Sequence, residues 1–151
     1  MTVKRKNKHI FVFGIFAVDI SFYVDKKVKA GETIIAKSSN IGPGGKASNQ
    51  AISARKLGGN TTLITRLGND NFNSYANTIW GEEKLSTSTK IDRNLPTGMA
   101  GIFIDDKTGE NSVIVHPGAS AQLSINDFNS QKSKMQKGDI FLTQFEQSSD
   151  T

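Results

Sequence analysis

The stretch Ile41-Gly-Pro-Gly-Gly-Lys-Ala-Ser-Asn-Gln-Ala-Ile-Ser-Ala-Arg-Lys-Leu-Gly-Gly59 decides the fold of this chain. Its first part predicts a glycine bend, because Gly44 and Gly45 allow backbone conformations that a side chain forbids. Small and apolar residues then recur at helical spacing, which predicts a helix that packs closely on a sheet. Lys46 and Asn49 place an ammonium group and an amide on the first turn of this helix. The junction is therefore suited to a polar ligand.

This glycine bend does not match the two common glycine-rich phosphate-binding motifs. A Walker A motif needs a leading glycine where this chain has Asn40, and a Ser or Thr where it has Ala47. A dinucleotide-binding fingerprint needs a third glycine at the start of the helix, near the position that Asn49 occupies. The bend therefore belongs to another class of ligand site.

Two apolar runs outside this stretch predict buried strands that end next to acidic residues. Residues 9–13 form one such run, and Asp19 is predicted just past its end. Residues 138–145 form the other, which places Glu146 at a strand's carboxyl end. Open α/β sheets bind ligands at the carboxyl ends of their strands, so both carboxylates are candidate ligand contacts. For Asp19, a simple turn residue satisfied by local amides is the alternative.

The remaining segments alternate between strand and helix patterns, which indicates a single α/β domain without internal repeats. Ser124 is the predicted cap of a polar helix that ends near Met135. The other predicted elements are β structure over 33–41, a strand over 61–65, a helix over 69–80 capped by Asn69 or Asp70, and a hairpin formed by 98–105 and 112–115. A chain of 151 residues suits one hydrophobic core.

The motifs resemble, in order and spacing, the ribokinase family of carbohydrate kinases, also called the phosphofructokinase B family. The strongest likeness is Gly44-Gly45-Lys46-Ala47-Ser48-Asn49-Gln50-Ala51 followed by Leu57-Gly58, which is similar to that family's sugar-binding signature. Other landmarks lie in register along the chain: Phe13-Gly14, Gly31-Glu32-Thr33, Arg66-Leu67-Gly68-Asn69-Asp70, Pro96-Thr97-Gly98, His116-Pro117-Gly118-Ala119 and Gln144-Phe145-Glu146.

The resemblance implies a fold and a function. The implied fold is an α/β, ribokinase-like, Rossmann-type three-layer sandwich with a small β lid around residues 20–42. The implied activity is ATP-dependent phosphorylation of a sugar. The matching positions assign sugar binding to one set of residues: Asp19, the backbone of Gly44 and Gly45, Lys46, Asn49 and Glu146.

The catalytic part of that family's signature has no counterpart here. Family members carry a Gly-x-Gly-Asp motif whose Asp is the general base and whose glycines form an anion hole, and these 151 residues contain no such motif. We therefore expect residues 1–151 to be the amino-terminal sugar-binding half of a kinase, truncated after its first half. We expect no catalytic residue, no bound ATP or Mg²⁺ and no kinase activity from this chain alone. A non-catalytic sugar-binding remnant or a regulatory module is the alternative.

The resemblance leaves the sugar open. Ribokinases carry an Asn where this chain has Ala17, two residues before Asp19. Loss of that amide places ribose in doubt, so a pentose or deoxypentose is the expected substrate class, and a nucleoside is a further option. The family's β lid often pairs with the lid of a second subunit, which makes a homodimer a further expectation.

Charge and composition argue against several other functional classes. The formal net charge is +5, and Lys4, Arg5, Lys6 and Lys8 cluster near the start. A basic nucleic-acid binder is a weaker alternative, because the other cations are spread along the chain without interleaved aromatic residues. The sequence has no cysteine and two histidines, which argues against a disulfide framework and a metal site. No apolar run suits a signal peptide or a membrane helix, so we expect a soluble cytoplasmic protein.

Overall fold

The computed structural model describes residues 8–147. Over this range the chain forms eight strands, three α-helices and a short 3₁₀ helix at Gly118–Gln122. The strands are β1 (His9–Phe13), β2 (Ala17–Val24), β3 (Ser38–Gly44), β4 (Asn60–Gly68), β5 (Ser86–Asp92), β6 (Gly98–Asp105), β7 (Asn111–His116) and β8 (Ile140–Thr143). The helices are α1 (Lys46–Lys56), α2 (Asn71–Glu82) and α3 (Ile125–Met135).

The central sheet is parallel and has the strand order β5-β4-β1-β8. Val12 of β1 lies opposite Leu63 of β4 on one side and Leu142 of β8 on the other. Because β1 is flanked on both sides and covered on both faces, three of its five residues are buried. This continuous burial is why its sequence is an unbroken apolar run.

Helices cover both faces of this sheet. On one face, Val12 and Leu63 belong to a buried cluster with Ala47 of α1 and Trp80 of α2. On the other face, Phe13 and Ile64 form a second cluster with Leu123, and Phe128 of α3 packs against it.

Successive residues of β1 and β4 thus enter different clusters, as the two-residue period of a strand requires. The expected three-layer α/β sandwich is confirmed.

The second sheet is a lid with the strand order β3-β2-β6-β7. β2 is central, pairing antiparallel with β3 and parallel with β6, while β7 forms an edge. The prediction of a β lid is confirmed, but its predicted extent, residues 20–42, was too small, because the hairpin of β6 and β7 joins the same sheet.

Several boundaries differ from the prediction. Asp19 lies inside β2 of the lid, not in a turn past the end of β1. The predicted β segment over 33–41 becomes a strand only at Ser38, and it runs through Gly42 and Gly44. The glycine bend is therefore largely strand, and the change of direction is concentrated at Gly45. β8 ends at Thr143, so Glu146 lies in the following loop.

The helix caps agree with the sequence signals. The Asp70 carboxylate accepts a hydrogen bond from the backbone N–H of Asn73 at 3.1 Å, which caps α2. At the start of α3, Asp127 accepts from the backbone N–H of Ser124 at 2.9 Å. No helix within residues 8–147 combines the length and apolarity that crossing a membrane requires.

Candidate functional site

The site begins at the junction between β3 and α1. Gly45 has φ +81°, a conformation that favours glycine, and a Cβ there would lie 2.6 Å from the carbonyl oxygen of Ile15. The backbone N–H of Ser48 donates to that same carbonyl at 3.4 Å. The first turn of α1 is therefore pressed against the connection between β1 and β2, at the carboxyl end of the central sheet.

Asp19 lies beside this junction on the neighbouring lid strand. A Cβ on Gly44 would overlap the Asp19 carboxyl group, so the absence of a side chain at Gly44 makes room for that carboxylate. Asp19 is half-buried, and no residue in the range 8–147 forms a hydrogen bond or an ion pair with its side chain. Burial raises the pKa of Asp19 above its usual 3.8. A partly desolvated carboxylate is thus left with both oxygens free to accept hydrogen bonds.

Lys46, the first residue of α1, pairs with Glu146. The Nζ atom of Lys46 lies 2.5 Å from Oε1 of Glu146, and the Lys46 side chain remains 68% exposed. One of the three ammonium donors is used in this contact, and two are left for a ligand. The resemblance assigned both residues to one site but did not predict that they pair with each other, and Glu146 reaches Lys46 from the loop after β8.

Asn49 occupies the same first turn. Its backbone N–H donates to Gly45 at 3.0 Å, and its side chain is exposed. Within the described residues, the Asn49 amide has no hydrogen-bond partner and does not contact Asp19 through a hydrogen bond. The structure therefore places Asp19, Gly44, Gly45, Lys46 and Glu146 around one helix start, and Asn49 on that helix.

Two residues of this region were not identified from the sequence as site residues. Gln144 donates from Nε2 to Oε1 of Gln50 at 2.6 Å, which ties the loop after β8 to α1 a second time. Gly14 leaves the space for Gln144, since a Cβ there would contact the Gln144 amide oxygen and lie 2.8 Å from Cβ of Ala47. The signal was the Gln144-Phe145-Glu146 motif, of which only the acid was assigned a role.

The described residues do not form a metal site. No group of three or more His, Cys, Asp or Glu within residues 8–147 could hold a metal ion. Glu146, one of the two acidic residues of the candidate site, is already paired with Lys46. The arrangement fits hydroxyl groups better than a divalent cation, which prefers several oxygen ligands.

Comparison with known protein families gives one match over most of the chain. Residues 7–144 match the model of the pfkB family of carbohydrate kinases. The chain belongs to this family. Among curated pfkB relatives, the ribokinase of Dictyostelium discoideum is 37% identical over 141 residues, which are 91% of this chain and 43% of the relative. The deoxyribokinase of Salmonella typhi is 33% identical over 140 residues, which are 91% of this chain and 45% of the relative.

Solved structures of pfkB-type kinases share the fold. A ribokinase from Giardia lamblia superposes with a TM-score of 0.88 at 27% identity, covering 95% of this chain and 46% of that one. An Arabidopsis thaliana ribokinase, solved with ribose and ATP, has a TM-score of 0.78 at 28% identity, covering 95% of this chain and 47% of that one. The chain spans less than half the length of these relatives.

Proposed function

We propose that this chain binds the sugar acceptor of an ATP-dependent, ribokinase-like carbohydrate kinase, and that residues 1–151 are its amino-terminal sugar-binding half. The observation that carries the proposal is the free, half-buried carboxylate of Asp19, held in the space that Gly44 leaves. Membership of the pfkB family supports the reaction class. The relatives named ribokinase and deoxyribokinase support a pentose or deoxypentose as the sugar.

Sugar recognition explains why a carboxylate is left without a protein partner. Each sugar hydroxyl that loses water must find a hydrogen-bond partner or cost about 1 to 3 kcal/mol. An ionised Asp19 accepts from two vicinal hydroxyls, and such charge-assisted bonds are stronger than neutral ones. In this proposal the sugar supplies the two donors that the described protein residues do not.

The other site residues can contact the remaining hydroxyl groups of the sugar. Lys46 keeps two ammonium donors for hydroxyl oxygens, while Glu146 keeps its second carboxylate oxygen as an acceptor. Asn49 offers both a donor and an acceptor from the same helical turn. The close backbone at Gly44 and Gly45 forms the floor, because no side chain lifts the ligand away from the strand. These groups give the sugar contacts on more than one side.

Phosphoryl transfer needs groups that this half does not supply. In a complete family enzyme, ATP and Mg²⁺ provide the phosphoryl group and neutralise its charge. Residues 8–147 bring no group of three or more His, Cys, Asp or Glu together, and the Gly-x-Gly-Asp motif is absent from the sequence. The proposal therefore assigns the catalytic base and the nucleotide site to residues outside these 151. The chain alone binds sugar and does not phosphorylate it.

A second part of the proposal concerns the lid. Val113, Ile114 and Val115 of the edge strand β7 are about half exposed or more, at 49%, 69% and 55%. An apolar edge strand is a template for pairing with another strand. The proposal is that two lids associate in a homodimer through this edge.

Isothermal titration calorimetry at pH 7 tests the sugar site, with D-ribose, 2-deoxy-D-ribose and a nucleoside as ligands. We expect one of them to bind, and Asp19→Asn to weaken that binding about tenfold or more, because a charge-assisted hydrogen bond is lost. Glu82→Gln is the control, since it removes one negative charge from an exposed side chain that forms no hydrogen bond or ion pair within residues 8–147. It should bind like the wild type.

The outcomes separate the alternatives. Equal binding by the wild type and Asp19→Asn would remove Asp19 from the site. Absence of binding to all three ligands would refute the sugar-binding proposal and favour a remnant that has lost its ligand. ATP-dependent formation of a sugar phosphate by the purified chain would contradict the assignment of the base and nucleotide site to other residues.

A further inference from the structure

Phe145 has an unusual backbone conformation. Its φ is +57°, and Lys84 is the one other non-glycine residue with positive φ in the described part of the chain. A bulky side chain in this left-handed region is strained, because its Cβ approaches the following carbonyl. Strain of this kind persists only where the surrounding structure holds the residue in place, and it concentrates at functional sites.

The residues on either side of Phe145 supply that restraint. Gln144 is bonded to Gln50 of α1 at 2.6 Å, and Glu146 is paired with Lys46 of α1 at 2.5 Å. Lys46 and Gln50 are one helical turn apart, so they lie on the same face of α1. These two contacts hold the loop against the start of α1, and Phe145 lies between them.

The phenyl ring is not buried by the described part of the chain. The Phe145 residue is 86% exposed, and its ring forms no aromatic pair with any ring in the range 8–147. If the conformation served only to turn the chain, glycine would adopt it without strain. The structure thus keeps an exposed aromatic ring in a strained conformation, directly before the proposed sugar-binding residue Glu146.

We propose that Phe145 is a specificity-determining residue whose ring packs against the apolar C–H face of the bound sugar. The inference rests on the proposed sugar site. A pyranose or furanose ring presents C–H groups between its hydroxyls, and an aromatic face removes these from water while the acids hold the hydroxyls. Phe145 would favour sugars with fewer hydroxyls on that face, which suits a deoxypentose.

Affinity and stability measured on the same variants test this role. Phe145→Gly relieves the strain and removes the ring. We expect its melting temperature to equal or exceed that of the wild type, while its Kd for the bound sugar rises about three- to tenfold. Phe145→Tyr keeps an aromatic face and should retain near-wild-type affinity. A purely structural residue would not move the two measurements in opposite directions.

A fluorescence experiment reports the contact directly. Phe145→Trp places an indole at this position, and Leu57→Trp places one at the far end of α1, where Leu57 is similarly exposed at 89%. The native Trp80 is buried and gives a common background. We expect the sugar to change the emission of Phe145→Trp in a saturable manner and to leave that of Leu57→Trp unchanged.

The results distinguish this inference from the sugar site on which it rests. If the wild type binds sugar and Asp19→Asn does not, but Phe145→Gly binds normally, the sugar site stands and the role of Phe145 is refuted. An equal emission change in both tryptophan variants would also refute it. If the wild type binds no sugar, both proposals fall together.

Discussion

Gly44→Ala is the most specific test of the site geometry. The new methyl group would overlap the Asp19 carboxyl group and displace it from its position over Gly44. Losing one charge-assisted hydrogen bond to the sugar costs about 1.5 to 3 kcal/mol, which raises Kd roughly tenfold to a hundredfold. The fold should tolerate the change, because Asp19 is only half-buried and the atoms nearest the new methyl group belong to the end of its side chain and not to the backbone. We expect the melting temperature to fall by less than about 4 °C.

Calorimetry and thermal melts on three variants provide the assay. Gly101→Ala is the matched control, because Gly101 lies in the same lid sheet and a Cβ there would meet nothing within 4 Å. The double variant Gly44→Ala with Asp19→Asn should bind no more weakly than Asp19→Asn alone, since both changes remove the same contact. Wild-type affinity in Gly44→Ala, or additive losses in the double variant, would refute the reasoning.

Three other predictions follow from the structure. Burial raises the pKa of Asp19, so the folded state holds this proton more tightly than the unfolded chain. Ionisation of Asp19 therefore lowers the stability of the fold as the pH rises above 3.8. Asp19→Asn should melt no lower than the wild type at pH 7, although it loses sugar affinity. Arg66→Ala should destabilise the fold by about 3 kcal/mol in urea unfolding, because it leaves Asp127 without its buried partner. The Asp127 side chain is 6% exposed and lies 2.7 Å from Arg66. Lys56→Ala removes an exposed ion pair and should cost under about 1 kcal/mol. Ile114→Lys should convert a lid dimer to monomer in sedimentation analysis; a monomeric wild type would contradict the dimer proposal.

Acid sensitivity provides a further check on the Arg66 interaction. Burial alone would raise the pKa of Asp127, but hydrogen bonds from Arg66 and Ser124 outweigh it and lower the pKa below 3.8. A lowered pKa contributes stability above the unfolded value, and this contribution is lost as the pH falls through the folded-state value. The difference in stability between wild type and Arg66→Ala should therefore shrink in acid. A constant difference from pH 7 to strongly acidic pH would contradict the ionic contribution.

The elements with strong local signals were predictable. The helices α2 and α3 begin where Asp70 and Ser124 can cap them, and caps act through residues only three positions away. The strand β5 was missed because its sequence, Ser-Thr-Ser-Thr-Lys-Ile-Asp, has no apolar run. It is a strand because β4 offers it a parallel partner, from Thr62 opposite Ser86 to Gly68 opposite Asp92. Such pairing overrides local preference.

The candidate site likewise combines features that the sequence predicts with features that only the tertiary structure sets. The sequence by itself determined the family motif, the start of α1 at Lys46 and the set of acids and amides near it, because glycine, charge and helical period are local properties. Only the tertiary structure placed the Asp19 carboxylate over Gly44, paired Lys46 with Glu146 and clamped Phe145 between two ties. The contacts of Lys46 with Glu146 and of Gln50 with Gln144 join residues about a hundred positions apart through the order of strands in the central sheet. A sequence pattern does not show which distant residues come into contact, because the packing of whole sheets and helices decides it.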